Sequence, residues 1–156
     1  MVRVLFVCLG NICRSPMAEA VFRKQVEEAG LKDQISIDSA GTGHWHIGKP
    51  PHEGTRSLLD RYDVDYAGLK ARQVKEEDVT RFDYILAMDA DNLSQLHALA
   101  GRQTTGEIAR LLDFVPDSNV ADVPDPYFTG NFDEVYELVN EACSRLLTYI
   151  CDREQL

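Results

Sequence analysis

The chain has 156 residues, of which 26 are acidic and 16 are Lys or Arg, so its formal net charge is −10 at pH 7. An acidic surface repels nucleic acids and anionic membranes, and neither is expected as a partner. No apolar run approaches the roughly 18 residues that a membrane span requires. The length predicts a single domain, residues 1–156, with a core of ordinary size.

The first residues and the cysteines favour a cytoplasmic location. The N-terminus lacks the long apolar stretch and the small-residue cleavage site of a signal peptide. In the cytoplasm the four cysteines remain thiols unless they serve catalysis or redox chemistry. We expect Cys143 and Cys151, which fall on the last predicted helix, to be packing residues.

The start of the chain is predicted to be strand, turn, helix and strand. Residues 2–7 are apolar and rich in Val, which is typical of a buried strand. Ser15 is predicted to cap a helix with Pro16 at its first position, and apolar spacing continues this helix over residues 17–29. Alternating apolar residues predict a second strand over 35–41.

Glycine and proline break the pattern in the middle of the chain. Their density makes residues 41–51 a loop, and apolar spacing then predicts a helix over 52–62. Residues 71–74 are predicted to form a short strand and 76–82 a helical turn. The apolar run 84–88 predicts a further strand.

The last part of the chain alternates in the same way. Asp89 is the predicted N-cap of a helix that continues through Leu99. Residues 111–115 fit a strand or the end of a short helix, residues 122–131 have the composition of a loop, and an amphipathic helix covers 132–151. Strands that alternate with helices predict one α/β domain, with a parallel sheet covered by helices on both faces.

The stretch VCLGNICRSP, residues 7–16, places chemically useful groups between the first strand and the first helix. The carboxyl ends of parallel strands are where α/β sheets bind ligands. The backbone amides of residues 9–14 can turn inward around three oxygens, and Gly10 permits their close approach. Arg14 offers two parallel hydrogen bonds to a phosphoryl group, and the helix N-terminus adds positive charge. The pattern predicts a phosphate site.

Cys8 lies inside this predicted site. A ring of amides and a helix N-terminus favour the ionised thiolate, which is the nucleophilic form. Ser15 can cap the helix and also donate a hydrogen bond to the sulfur, which makes the sulfur a better leaving group. A packing role for Cys8 is the alternative, since cysteine is among the most buried residue types.

Expelling an oxygen leaving group also requires a proton donor. The candidate is Asp125 in the stretch DVPDPYF, where Pro124 and Pro126 flank it and Tyr127 and Phe128 follow. An ordinary Asp-Pro turn explains the same residues. The assignment therefore depends on the pairing of this aspartate with the first loop.

The motif CLGNICRSPMAEA, followed near the C-terminus by DPYF, resembles the low-molecular-weight protein tyrosine phosphatases over essentially the whole chain. The resemblance implies a four-stranded parallel sheet flanked by helices. It also implies that Cys8 forms a phosphocysteine intermediate, that Arg14 clamps the phosphoryl group, and that Asp125 acts as general acid and then as base. Tyrosine-phosphorylated proteins would be the substrates of a monomeric enzyme without cofactor or metal.

The same resemblance assigns the residues around this trio. Asn11 and Ser39 would hold the loop in shape by hydrogen bonds, with Ser15 next to the thiolate. Leu69 stands where many members have a histidine that completes this network. The counterpart of Cys13 can form a reversible disulfide with the nucleophile. The expected substrate-binding residues are those of the loop and an aromatic rim: Leu9, Gly10, Asn11, Ile12, Cys13, Ser15, Trp45, Tyr127 and Phe128.

Three other functions use a similar fold and first loop. Arsenate reductases need further cysteines, usually in mid-chain, and residues 60–110 contain none. Protein-arginine phosphatases typically have Thr where this chain has Ile12, and an apolar residue there suits an aryl phosphate. A phosphate-binding module without turnover would not need the intact trio of Cys8, Arg14 and Asp125.

The sequence predicts no metal site. His44 and His46 form an H-x-H pair, which is a weak zinc motif because no further ligands lie nearby. We expect both, like His52 and His97, to be loop or surface residues.

Overall fold

The apolar run at the start of the chain forms β1, Val2–Cys8, which is an inner strand of the sheet in this computed structural model. It pairs with β2 (Ile35–Gly41) on one side and with β3 (Tyr84–Ala87) on the other, and β3 pairs with β4 (Glu107–Arg110). All of these pairings are parallel, in the order β2-β1-β3-β4. The predicted four-stranded parallel sheet is confirmed.

Helices flank the sheet within residues 1–103 and 106–156, which the structure describes. None of the described helices is long and apolar enough to cross a membrane. A 3-10 helix, Leu111–Phe114, lies between β4 and α5. The α-helices are α1 (Arg14–Glu28), α2 (Glu53–Arg61), α3 (Asp78–Arg81), α4 (Ala90–Ala100), α5 (Pro126–Thr129) and α6 (Phe132–Glu154).

The side chains of β1 point alternately to the two faces of the sheet. Val4 and Phe6 belong to the larger core, which α1 and α6 cover, and the Phe6 ring packs edge-on against Phe22 of α1 with centroids 5.5 Å apart. Leu5 and Val7 point to the opposite face, where they pack with residues of α4. These β1 side chains are fully buried. The sheet is therefore covered on both faces, as predicted.

The strand order opens a crevice at the carboxyl end of the sheet. The chain passes from β1 to β2 on one side and later returns to β3 on the other. The connections that leave β1 and β3 therefore diverge, which is the arrangement that binds ligands in open α/β sheets. Cys8 ends β1 and Asp89 closely follows β3, so both residues lie at this crevice.

The prediction that Ser15 caps the first helix is wrong. The helix begins two residues earlier than predicted, at Arg14, and Cys13 occupies the N-cap position without a side-chain hydrogen bond. The Ser15 hydroxyl is instead 2.9 Å from Cys8 Sγ and accepts a hydrogen bond from Asn11. The Ser15 hydroxyl therefore forms hydrogen bonds within the loop rather than with the backbone at the start of the helix.

Two predictions about strands also differ from the structure. Residues 71–74 form no strand, and Gln73 makes only an isolated bridge to Gly41. The segment predicted as strand or short helix forms the 3-10 helix, and the fourth strand precedes it as β4. We did not predict β4 because its charged residues, Glu107 and Arg110, break the apolar pattern at a half-exposed edge of the sheet.

The loop predicted over residues 122–131 contains the short helix α5. Asp125 caps this helix by accepting the N–H of Tyr127 at 3.1 Å, and Pro126 takes its first position. Asp followed by Pro is a helix start as well as a turn, so composition alone did not distinguish them. The other predicted helices and strands are confirmed with small shifts of their ends.

Replacing Phe22 by Ala should lower the free energy of unfolding by about 3–5 kcal/mol, the usual cost of deleting a buried aromatic side chain. The reason is that Phe22 is fully buried against Phe6. Urea denaturation followed by circular dichroism measures the loss. The matched control is Phe128→Ala, because Phe128 is 74% exposed and its removal should cost less than about 0.5 kcal/mol. Equal losses in the two variants would contradict this packing.

Candidate active site

Residues 8–15, which we call the Cys8 loop, connect β1 to the first turn of α1. The carbonyl oxygen of Cys8 accepts a hydrogen bond from the N–H of Thr42 at 2.9 Å, just beyond β2. This bond directs the carbonyl away from the centre of the loop. Two further carbonyls of the loop are held in the same way. The carbonyl of Leu9 accepts the N–H of Gly43 at 2.8 Å, and the carbonyl of Ile12 accepts the N–H of His52 at 2.7 Å.

The inner side of the Cys8 loop presents N–H groups. Among the described residues, no hydrogen bond engages the N–H of Ile12, Cys13 or Arg14. These groups lie at the N-terminus of α1, where helix geometry leaves them without partners and the dipole favours negative charge. The predicted cradle for an anion is therefore sterically and electrostatically available.

Asn11 holds the loop in this shape. Its φ of +57° lies in the left-handed region, which Asn tolerates better than most residues. Its N–H donates to Cys8 Sγ at 3.3 Å. Its side-chain Nδ2 donates to Ser15 Oγ at 2.8 Å and to Ser39 Oγ at 2.9 Å, and its Oδ1 accepts the N–H of Arg72 at 3.0 Å. The loop-supporting contact predicted for Ser39 is present.

The support continues from Ser39 to Glu19 of α1. Ser39 Oγ donates to Glu19 Oε1 at 2.6 Å, and both residues are buried. Burial raises the pKa of Glu19 above its ordinary value, although the hydrogen bond from Ser39 and the charge of Arg23 act in the opposite direction. Leu69, which replaces the expected histidine, is buried and brings no polar side chain to this network. We did not predict a role for Glu19.

Arg14 is held on three sides before any ligand arrives. Its Nη1 donates to Asp89 at 2.6 Å and to the carbonyl of Val123 at 3.0 Å, and its Nη2 lies 3.4 Å from Asp125. Burial lowers the pKa of Arg14, but the negative charges of Cys8, Asp89 and Asp125 outweigh it and the pKa is raised overall. The sequence predicted Asp89 only as a helix cap, and its contact with Arg14 was missed.

Asp125 lies opposite the Cys8 loop. One carboxylate oxygen caps α5, and the other faces Arg14. The side chain is 22% exposed, so it is reachable from solvent. This arrangement fixes the carboxyl group at the entrance of the cavity while leaving an oxygen directed toward the loop.

One cavity of about 420 Å³ is lined by Asp125 and by every residue of the Cys8 loop except Asn11 and Ser15. Asn11 and Ser15, which were expected to bind substrate, instead contact the Cys8 sulfur. Trp45, Tyr127 and Phe128 border the cavity, as predicted, and are 62%, 52% and 74% exposed. His46 also lines it, although the sequence suggested only a loop position. Its ring comes so close that a Cβ on Gly10 would lie 3.0 Å from His46 Cδ2. Gly10, which has no side chain, therefore leaves room for the His46 ring.

The four cysteines are free thiols, and they differ in environment. Burial, with added effects of Cys8 and Asp125, raises the pKa of Cys13 to about 12. Burial alone raises the pKa of Cys143 even more strongly, which agrees with the packing role predicted for it. Both are therefore protonated at neutral pH. Among the described residues, no group of three or more His, Cys, Asp or Glu could hold a metal ion.

Iodoacetamide at pH 7.5 should modify Cys8 at least about tenfold faster than Cys13. Asn11 N–H and the Ser15 hydroxyl stabilise negative charge on Cys8 Sγ, whereas burial keeps Cys13 protonated. Peptide mass spectrometry of a time course locates the label. Inorganic phosphate should slow the labelling of Cys8, and equal rates at the two cysteines would contradict the described environments.

The chain is similar to known proteins along nearly its whole length. The family model described as low molecular weight phosphotyrosine protein phosphatase matches residues 3–156. The low molecular weight protein-tyrosine-phosphatase YfkJ of Bacillus subtilis is 56% identical over 156 residues, with 100% of both chains covered. The crystal structure of YfkJ matches with a TM-score of 0.96 and covers 98% of this chain and 96% of that one.

Two other relatives extend the comparison. The low molecular weight protein-tyrosine-phosphatase PtpA of Staphylococcus epidermidis is 44% identical over 150 residues, which cover 96% of this chain and 94% of PtpA. The crystal structure of a Drosophila arginine phosphatase is 34% identical, has a TM-score of 0.87, and covers 94% of this chain and 96% of that one. Because a single family accounts for almost every residue and for the whole fold, the chain belongs to the low-molecular-weight protein-tyrosine-phosphatases.

Proposed function

We propose that Cys8 is the nucleophile of phosphotyrosine hydrolysis in this protein, that Arg14 binds the phosphoryl group, and that Asp125 is the general acid. One observation carries the assignment: the three side chains line the same cavity of about 420 Å³. The cavity thus combines a sulfur nucleophile, a guanidinium with two donor nitrogens, and a carboxyl group on the opposite wall. This set of groups suits phosphoryl transfer to sulfur, because it combines a nucleophile, a clamp for the phosphoryl charge and a proton donor.

In the first step the Cys8 sulfur attacks phosphorus while the tyrosyl oxygen leaves. A phosphorus–sulfur bond forms, the phosphorus–oxygen bond breaks, and Asp125 gives its proton to the leaving oxygen. Arg14 and the inward N–H groups of the Cys8 loop stabilise charge on the phosphoryl oxygens in the transition state. The free phenol of tyrosine then departs.

In the second step water hydrolyses the phosphocysteine. Asp125, now a carboxylate, accepts a proton from the attacking water, and the oxygen forms a bond to phosphorus as the phosphorus–sulfur bond breaks. Ser15 Oγ, 2.9 Å from Cys8 Sγ, stabilises the departing thiolate. Inorganic phosphate is released, and no cofactor or metal ion takes part in either step.

The entrance of the cavity supports an aryl phosphate as the substrate group. The exposed rings of Trp45 and Tyr127 border the entrance, and aromatic side chains favour contact with another ring. The substrates are therefore tyrosine-phosphorylated proteins, and a net charge of −10 disfavours nucleic acid as a partner.

The chemistry also suits a monomer in the cytoplasm. A nucleophilic thiol with Cys13 in the same loop requires a reducing compartment to stay active. All residues assigned to the reaction come from one chain, so the site needs no second copy.

Cys8→Ser should abolish turnover while inorganic phosphate still binds, because serine keeps the loop but loses the thiolate. Asp125→Asn should slow the hydrolysis of a phosphotyrosine peptide by about 10²–10⁴-fold, the usual contribution of a general acid. The loss should be smaller for para-nitrophenyl phosphate, since its leaving group needs little help from a proton. Steady-state assays with EDTA present measure both substrates, and calorimetry measures phosphate binding.

The control for these variants is Asp33→Asn, which changes an exposed carboxylate in the turn before β2, at the opposite end of the strands from Cys8. Its turnover should stay within about twofold of the unmodified protein, since surface changes away from the site have small effects. Unchanged rates in Cys8→Ser or Asp125→Asn would remove that residue from the mechanism.

Phosphoarginine is the second candidate substrate group, because an arginine phosphatase shares this fold at 34% identity. Ile12 distinguishes the two activities. It lines the cavity, is buried, and packs with Cys13, Ala71 and Phe132. An apolar group there offers nothing to a guanidinium, whose buried N–H groups need acceptors.

Ile12→Thr should therefore lower the ratio of phosphotyrosine to phosphoarginine hydrolysis by about tenfold, the value of one added hydrogen bond in a buried site. Matched peptides that carry either phosphorylated residue, assayed side by side for kcat/KM, measure the ratio. Ile12→Val is the control because it keeps an apolar surface. A native protein that prefers the phosphoarginine peptide would overturn the assignment of phosphotyrosine.

A further inference from the structure

A continuous series of hydrogen bonds joins the buried carboxylate of Glu19 to the Cys8 sulfur. Ser39 Oγ lies 2.6 Å from Glu19 Oε1, and Asn11 Nδ2 lies 2.9 Å from Ser39 Oγ. The same Nδ2 is 2.8 Å from Ser15 Oγ, which is 2.9 Å from Cys8 Sγ. All five residues are buried, so the series is shielded from water.

The donors and acceptors of these groups allow only one direction for the bonds. An ionised carboxylate accepts only, so the Ser39 hydroxyl must give its hydrogen to Glu19. Ser39 Oγ can then only accept from Asn11, and the N–H of Arg72 independently fixes Oδ1 of Asn11 as the acceptor end of its carboxamide. Both hydrogens of Nδ2 are thereby directed to the two serines.

The last bond follows from the others. Ser15 Oγ receives a hydrogen from Asn11, which leaves its own hydrogen free to point at Cys8 Sγ. A hydroxyl that donates to sulfur stabilises the thiolate, whereas a hydroxyl that accepts from a thiol would not.

We propose that Glu19 is a positioning residue for the phosphatase reaction: by accepting the hydrogen of Ser39, it keeps Ser39 Oγ an acceptor for Asn11 and, together with the N–H of Arg72, keeps the Ser15 hydroxyl donating to the Cys8 sulfur. The proposal rests on the role of Cys8 proposed above. Glu19 does not line the cavity, so it acts through Ser39, Asn11 and Ser15. Leu69 supplies no polar group that could do the same.

An ion pair and a hydrogen bond favour the ionised, accepting form of Glu19. Arg23, one turn further along α1, forms an ion pair with it. Arg72 also favours the ionised form, whereas Asp38 of β2 and burial disfavour it, so that the pKa of Glu19 is raised overall by its burial. Replacing the carboxylate by a neutral amide therefore removes a costly buried charge as well as the direction that the charge imposes.

Glu19→Gln reverses the first bond. Arg23 draws the amide oxygen toward itself, because the guanidinium nitrogens only donate. The amide nitrogen then faces Ser39 and donates to it, which turns the Ser39 hydrogen toward Asn11 Nδ2, where two donors oppose each other. The matched control is Glu27→Gln, an exposed position on the same helix.

Glu19→Gln should lower kcat for para-nitrophenyl phosphate at pH 7.5 by about tenfold and raise the pH midpoint of Cys8 alkylation by about one unit, the effect of one misdirected charge-assisted hydrogen bond. The inhibition constant of inorganic phosphate should change by less than about threefold, because the phosphate contacts stay in place. The thermal midpoint should stay within about 3 °C of the unmodified protein, since a buried charge has been removed.

Adding Arg23→Ala to Glu19→Gln should recover at least about half of the lost kcat, because the amide is then free to turn its oxygen back to Ser39. Arg23→Ala alone should lower kcat less than Glu19→Gln does, because the carboxylate of Glu19 still accepts the hydrogen of Ser39. If Glu19 served packing alone, the double variant would have a lower kcat than Glu19→Gln, because a second contact would be lost.

Wild-type kcat and alkylation in Glu19→Gln would overturn the proposal without touching the assignment of Cys8. If Glu19→Gln does not fold, Ser39→Ala tests the same series, and an unchanged alkylation midpoint there would overturn it too. Turnover by Cys8→Ser would instead overturn the proposed function.

Discussion

The candidate site depends on the left-handed backbone of Asn11, whose φ is +57°. An L-residue is disfavoured in this conformation, and the carboxamide of Asn11 compensates through hydrogen bonds with Ser15, Ser39 and the backbone of Arg72. The turn brings the Asn11 N–H to 3.3 Å from Cys8 Sγ. Without it, the chain between β1 and α1 would not close around the sulfur.

An acidic protein that binds a phosphoryl group has to generate positive potential locally. The net charge of −10 opposes long-range attraction of an anion. Arg14 and the N–H groups at the start of α1 act only at short distance, and Asp89 and Asp125 hold the guanidinium in place. Recognition of the phosphoryl group is therefore confined to the cavity and owes little to steering from solution.

Local sequence signals predicted most of the fold and the centre of the site, whereas contacts between distant segments were missed. Cys8, the glycine-containing turn after it and Arg14 are neighbours in the sequence. Their arrangement could therefore be predicted from one short stretch. Asp89 lies 75 positions from Arg14, and nothing near it in sequence marks it as a partner. Glu19 falls within an ordinary helix, and only the packing of β2 against α1 shows that it is buried next to Ser39.

The two halves of the proposed reaction machinery differ in how firmly the fold holds them. Cys8 ends a strand in which residues 4–7 are fully buried, so the proposed phosphate half is anchored to the core of the sheet. Asp125 belongs to a four-residue helix at the surface, held by its cap and by the Arg14 contact. Sequence drift in this surface segment can adapt the enzyme to leaving groups of different shape and basicity. Such changes leave the position of Cys8, the proposed nucleophile, unaltered.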